Sequence, residues 1–193
     1  MKKLSLIVVS VFFSTILMAQ GRTDFGIKAG LNVANMSIEP EIANTDVRLG
    51  LHAGLLAHIH LAPEWALQPE LVYSAQGFED DQNKVTWKLD YINVPIMVQY
   101  MFNNGFRLQA GPQVGFLASA KVDNLDIKED LKKIDAGLGF GIGYLSYSGF
   151  GIDARYNLGL SNINDDGATE LKNRVFQVGV FYMFNSQHKA VSR

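Results

Sequence analysis

The stretch FRLQAGPQVGFLAS, residues 106–119, decides the fold of this chain. Phe106, Leu108, Ala110, Pro112, Val114, Phe116 and Ala118 alternate with Arg107, Gln109, Gly111, Gln113, Gly115, Leu117 and Ser119. Successive side chains point to opposite faces in an extended strand, so this segment has one apolar face and one that is mostly polar or small. A helix, with its period of 3.6, would mix the two sets.

Seven further segments repeat the pattern on either side. Residues 24–34 carry Phe25, Ile27, Ala29, Leu31 and Val33 on one face; residues 47–61 carry Leu49, Leu51, Ala53, Leu55, Ala57 and Ile59. Residues 64–78 place Trp65, Leu67, Leu71 and Tyr73 together, and residues 89–102 place Ile92, Val94, Ile96, Val98 and Tyr100 together. Residues 134–147, 149–161 and 173–184 complete the set. Each is long enough for the roughly 9–11 residues of a tilted strand crossing a bilayer.

The connections alternate in length. Residues 61–64, 103–104 and 147–149 read as tight turns, whereas 35–46, 79–88, 122–133 and 162–172 are longer and polar. Short turns on one rim and long loops on the other is the arrangement of an outer-membrane barrel. An even strand number puts both chain ends on the short-turn, periplasmic side.

The amino-terminal residues fit export. Lys2 and Lys3 precede an apolar run over residues 4–17, and Ala19 is a small residue at a plausible cleavage point. The run is shorter than the roughly 20 apolar residues of a spanning helix. The expected organisation is a cleaved signal peptide at 1–19, a barrel at 20–184 and a polar carboxy-terminal tail at 185–193. Removing Lys2 and Lys3 from the 17 basic residues leaves 15 against 19 acidic ones, which gives no basic field to hold nucleic acid. The chain has no cysteine, so disulfides, thiolate metal sites and cysteine nucleophiles are excluded.

Alternation alone does not say which face is inside, since a soluble eight-stranded barrel points its apolar face inward. Three features favour the inverted, membrane arrangement. The apolar faces are expected to carry no charged residue within the eight spans. The polar faces consist mainly of Gly, Gln, Asn and Ser, which suits a filled lumen. Phe25, Trp65, Tyr100, Phe102, Phe106, Phe150, Tyr182 and Phe184 gather near the short turns, as an aromatic girdle would. The expected fold is therefore all-β: an eight-stranded antiparallel up-and-down transmembrane β-barrel.

Six stretches also carry a family likeness: GIKAGLNVAN (26–35), LQPELVYSAQG (67–77), DYINVP (90–95), LQAGPQVGF (108–116), GIDARYN (151–157) and NRVFQ (173–177). With them the chain resembles the PorT-like outer-membrane β-barrel family. The resemblance implies an outer-membrane location, and one branch of that family is associated with protein secretion and gliding. Such barrels commonly end on an aromatic residue read by the barrel-assembly machinery. Here Tyr182, Met183 and Phe184 have that character, but a polar tail follows.

On the polar faces, Lys28, Arg48, Glu70, Arg107, Asp135, Asp153 and Arg155 are expected to point inward. In a narrow lumen such charges must pair or stay hydrated, because unpaired burial is costly. A structural charge network that plugs the lumen is one reading, and a gate or narrow ion path is the other. Gly137, Gly139, Gly141 and Gly143 share that face and leave room for long side chains. His52, His58 and His60 share the inner face of the second strand; a zinc site would need a further ligand and supporting hydrogen bonds that the sequence does not supply. The segment GFGIDA (149–154) fits a relaxed dinucleotide fingerprint, but it opens a strand with no helix after it, so its context fails. No serine–histidine pair falls on an outward face, which argues against a lipid-modifying enzyme.

The sequence thus points to a non-enzymatic, cofactor-free monomer that is structural or acts through its loops. The expected partners are outer-membrane lipids, lipopolysaccharide and a protein at the outer loops. A narrow ion or small-solute channel and an accessory part in protein secretion are the alternatives. The acidic pairs Asp80–Asp81 and Asp165–Asp166 fall in the long loops, as solvated charges or as contacts for bridging divalent cations.

Overall fold

The computed structural model of the protein describes residues 23–39, 45–80, 85–123, 125–164 and 169–184. The expected signal peptide and polar tail lie outside the described residues. Eight long strands are present: β1 (Thr23–Glu39), β2 (Thr45–His60), β3 (Trp65–Asp80), β4 (Val85–Met101), β5 (Phe106–Val122), β7 (Ile134–Leu145), β8 (Phe150–Gly159) and β9 (Glu170–Met183). A two-residue strand β6 (Leu125–Asp126) and a short 3-10 turn (Lys128–Asp130) occupy the connection between β5 and β7.

Each long strand pairs antiparallel with its neighbours, and β1 also pairs with β9 from Gly26 opposite Met183 to Glu39 opposite Glu170. The eight strands therefore close into a barrel with no free edge. Closure gives each long strand a partner on both sides, which is how a sheet meets the demand of a hydrocarbon environment for internally bonded backbone. The tight turns and the first and last described residues share one rim, where the Phe184 amide donates to the Phe25 carbonyl at 2.8 Å.

The alternation seen in sequence resolves into an apolar exterior and a polar interior. Leu49 is 73% and Leu51 63% exposed, whereas Asn32 and His58 on the other face are fully buried. The exposed apolar side chains form a continuous belt, where soluble monomers tolerate patches of only a few hundred Å². Such a belt calls for lipid.

The strands run past the belt at the loop end, so parts of the segments expected to be loops are strand. β1 continues to Glu39, and the β3–β4 ladder reaches Asp80 opposite Val85. This extension corrects one expectation. The outer face is not free of charge over the spans, because Asp90 on β4 takes outward positions with Ile92 and Val94, and Arg174 on β9 lies exposed beside Phe176. Both stand at the outer margin, where the strands have left hydrocarbon. Below them the outward apolar run covers residues 25–33 of β1, 92–100 of β4 and 176–184 beginning in β9, nine residues each. That matches the roughly 9–11 residues a tilted strand needs to cross the hydrocarbon.

Candidate functional site: a filled lumen with an open outer mouth

The aromatic residues expected to form a girdle lie at the short-turn rim, and several of them pair. Trp65 and Tyr100 stand opposite each other across β3 and β4, with ring centroids 5.1 Å apart, and Tyr100 meets Phe102 at 5.0 Å. Phe106 meets Tyr144 at 5.4 Å, Tyr182 meets Phe184 at 6.0 Å, and Phe150 faces Tyr182 across β8 and β9. Tyr144 belongs to this ring but was not singled out in the sequence. Its place becomes evident only once β7 is registered against β5.

Inside, the seven charged residues do not form one network. Four of them converge at the middle of the lumen. Arg155 grips Glu70 with two bonds, Nη2 to Oε1 at 2.7 Å and Nη1 to Oε2 at 3.0 Å. Lys28 Nζ donates to Asp153 Oδ2 at 3.0 Å and to Glu70 Oε2 at 3.4 Å. The cluster holds two cations and two anions, and Lys28, Arg155 and Glu70 have side-chain exposures of 2%, 2% and 0%. It is neutral as a unit, which is the condition for burying ions without an uncompensated charge.

Arg107 is attached to this cluster through two glutamines. Its Nη1 donates to Gln99 Oε1 at 3.3 Å, Gln99 Nε2 donates to Gln109 Oε1 at 3.0 Å, and Arg155 Nη2 donates to the same oxygen at 3.1 Å. The Arg107 guanidinium also lies 5.5 Å from the centroid of the Phe181 ring. Gln68 completes Glu70 by donating to Oε1 at 2.8 Å. Gln68, Gln99 and Gln109 thus supply hydrogen bonds to these charges beside the ion pairs.

Asp135 and Arg48 stand apart. Asp135 Oδ2 accepts from Asn173 Nδ2 at 2.8 Å, and Asn173 Nδ2 also lies 3.3 Å from the Tyr91 hydroxyl oxygen. Arg48 donates from Nη1 to the backbone carbonyl of Gln76 near the outer end. Their separation follows from register. Asp153 faces Gly179, which faces Gly30 and then His52, whereas Arg48 faces Ala34, four residues along the strand nearer the loops.

The inward glycines of β7 make the room the cluster uses. A side chain at Gly143 would meet the Arg107 stem at 3.2 Å, and one at Gly141 would meet Gln109 Nε2 at 3.0 Å. The three histidines do line the lumen. His52 Nδ1 donates to Asn32 Oδ1 at 2.8 Å, and the His58 and His60 rings stack edge-on at 4.6 Å. Asn32 is itself fixed by Ser74, the Leu51 and Ala75 carbonyls and Gln177. Among the described residues no group of three His, Asp or Glu side chains is placed to hold a metal ion.

Apolar clusters close both ends of this polar middle. Leu56, Leu145, Phe181 and Met183 fill the short-turn end. Met36, Phe78, Leu89, Tyr91, Leu117, Ala120, Leu131 and Ile163 fill the outer end, backed by Ile38, Trp87, Ile127 and Leu171. Two connections fold inward to supply Leu131 and Ile163, joined by a bridge between Leu131 and Asn164 and by a bond from the Lys132 amide to the Ile163 carbonyl at 2.8 Å. Above this cluster an open recess of about 370 Å³ remains in the barrel mouth.

Comparison with known proteins agrees with this architecture. The profile of the family described as outer membrane protein beta-barrel domain matches residues 18–165. Neisserial surface protein A has a similar structure, with a TM-score of 0.60, 16% identity, and coverage of 83% of this chain and 97% of the other. Ail, the attachment invasion locus protein of Yersinia pestis, was solved in complex with the heparin analogue sucrose octasulfate. It aligns with a TM-score of 0.54 and 16% identity over 84% of this chain and 99% of its own. No curated protein matches the sequence. At these identities the solved structures speak for the fold.

Proposed function

Because this chain belongs to the outer membrane protein beta-barrel family and resides in the outer membrane, we propose that it is a closed, non-enzymatic barrel that works through its outer loops and not through its lumen. The observation that carries this reading is the two-ended closure. A neutral ion cluster and its glutamines occupy the middle, and apolar side chains seal both ends. Eight strands enclose an interior that side chains can fill, and the space at Gly143 and Gly141 of β7 is taken up by Arg107 and Gln109. A hydrated path would have to cross the Leu56–Phe181 layer and then the Leu89–Leu131 layer, both of which expel water.

The apolar belt supports bilayer lipid as the partner of the outer face, and we place lipopolysaccharide, held through bridging divalent cations, and a protein partner at the acidic outer loops. Assembly would proceed through the barrel-assembly machinery, which reads a terminal aromatic segment of the kind formed by Tyr182, Met183 and Phe184. The six stretches support a resemblance to the PorT-like family, one branch of which is associated with secretion, and an accessory part in secretion is the second reading on that resemblance alone. A deletion strain that exports its secreted proteins normally would remove the secretion role. The closed lumen is tested by swelling of proteoliposomes in isotonic sugar or small electrolytes. Purified barrel should leave the swelling rate at that of protein-free vesicles; solute-size-dependent swelling would overturn the reading.

A further inference from the structure

The recess in the outer mouth is lined from inside the barrel. Ile38, Trp87 and Leu171 come from the inner faces of β1, β4 and β9, and Phe78 comes from β3. Ile127 and Leu131 come from the inward-folded connection, and Leu131 is buried in the cluster beneath. The Phe78 and Trp87 rings stack against each other, with centroids 5.3 Å apart at 17°, and form an aromatic side to the recess. The remaining lining is polar, and among the described residues its charged members are the carboxylates Asp80 and Asp130.

The surroundings have the same sign. The four outer connections, residues 35–46, 79–88, 122–133 and 162–172, carry 13 Asp or Glu against 6 Lys or Arg. A mouth lined by one sign of charge concentrates ligands of the opposite sign. An apolar floor, an aromatic wall and two carboxylates match a molecule with an apolar body and one positive group. The volume is at the small end of the range for small-molecule pockets. Aromatic faces also attract ammonium groups directly. A free anion is repelled by Asp80, Asp130 and the loops. A bilayer lipid meets the opposite, outward face of the same strands.

We propose that the outer mouth binds a small soluble amphiphilic cation, an aryl- or alkylammonium compound, with its apolar body on Phe78, Trp87 and Leu131 and its charge toward Asp80 and Asp130. The site rests on the reading of a barrel that works through its outer end. A conducting lumen would overturn that reading and leave the ligand titration below unchanged.

The test uses the full-length barrel in zwitterionic nanodiscs. Trp65→Phe leaves Trp87 as the reporter, and Trp87→Phe leaves Trp65 on the lipid face to register partitioning into the bilayer. Each is titrated with 4-phenylbutylammonium, the neutral 4-phenylbutanol and the anionic 4-phenylbutyrate. The ammonium compound should give a saturable change at Trp87 and not at Trp65, with the alcohol weaker by about tenfold and the anion silent. Asp80→Asn with Asp130→Asn should bring the ammonium compound to the level of the alcohol. Leu171→Arg should abolish its binding while the heat-modifiable gel mobility of the folded barrel is retained. Equal responses to ammonium and alcohol, equal responses at Trp65 and Trp87, or no response at Trp87 would each overturn the proposal; the last would mean the mouth is filled by the chain's own loops.

Discussion

Replacing Glu70 with Gln isolates the central ion cluster. Glu70 accepts two bonds from Arg155, one from Gln68 and one from Lys28, and its side chain has 0% exposure. Glu70→Gln keeps the shape but removes one of two anions, so Lys28 and Arg155 share Asp153 alone and the cluster acquires one net positive charge. Breaking a buried pair from one side costs roughly 3–5 kcal/mol, because a charge is left uncompensated. Removing its partner as well should recover much of that loss. Glu70→Gln with Arg155→Met leaves Lys28 bonded to Asp153 at 3.0 Å and restores neutrality. The coupling between the two positions should be about 2 kcal/mol or more, at the upper end of what contacting residues show. The measurement is urea unfolding in lipid vesicles, following tryptophan fluorescence and gel mobility, with the denaturant slope checked for constancy. A loss below about 1 kcal/mol for Glu70→Gln, or additive effects in the double variant, would refute the argument that the cluster is buried and mutually compensated.

The belt predicts a depth dependence. Ala29→Arg, at the middle of the outward run on β1, should destabilise the barrel by about 2–4 kcal/mol, whereas Asn35→Arg at its outer margin should cost about 0–1 kcal/mol; equal losses in vesicle unfolding would count against the belt. At the periplasmic layer, the Phe181 ring lies over Gly151, where an added Cβ would meet ring carbons at 2.2 Å. Gly151→Ala should therefore cost about 1–3 kcal/mol by forcing the ring aside. A variant as stable as the parent would show that this layer has slack.

The period-two pattern made the strands, the barrel and the inward position of Lys28, Glu70, Asp153 and Arg155 legible, because pleat geometry ties parity to face. It could not say which inward charges meet, since that depends on register and shear, which set the height of each residue along the axis. Arg48 and Asp153 share a face and not a level. The outer apolar cluster was missed for a related reason. Phe78, Leu89, Tyr91 and Leu117 occupy inner-face positions, and parity gives their direction without showing that β3, β4 and β5 converge there under Leu131 and Ile163. At the register shift beside Asp90 and Tyr91, the pairing skips Ala118, and Ala120 turns into the interior. Strict alternation does not contain such a step. Asp90 and Arg174 were misjudged because strand pairing outlasts the membrane, so outward charge becomes tolerable while the ladder continues.

The account's central claim is an inverted barrel, apolar toward lipid and polar within. The two tryptophans lie on opposite faces, Trp65 in the outward girdle and Trp87 inside the mouth. Single-tryptophan variants in vesicles of brominated lipid read that difference directly. Trp65 in the Trp87→Phe variant should be strongly quenched by bromine, as should a tryptophan introduced at Leu51 with both native tryptophans replaced, while Trp87 in the Trp65→Phe variant should keep its emission. Quenching of Trp87 without quenching at positions 65 and 51 would mean that the polar face meets lipid and would contradict the account.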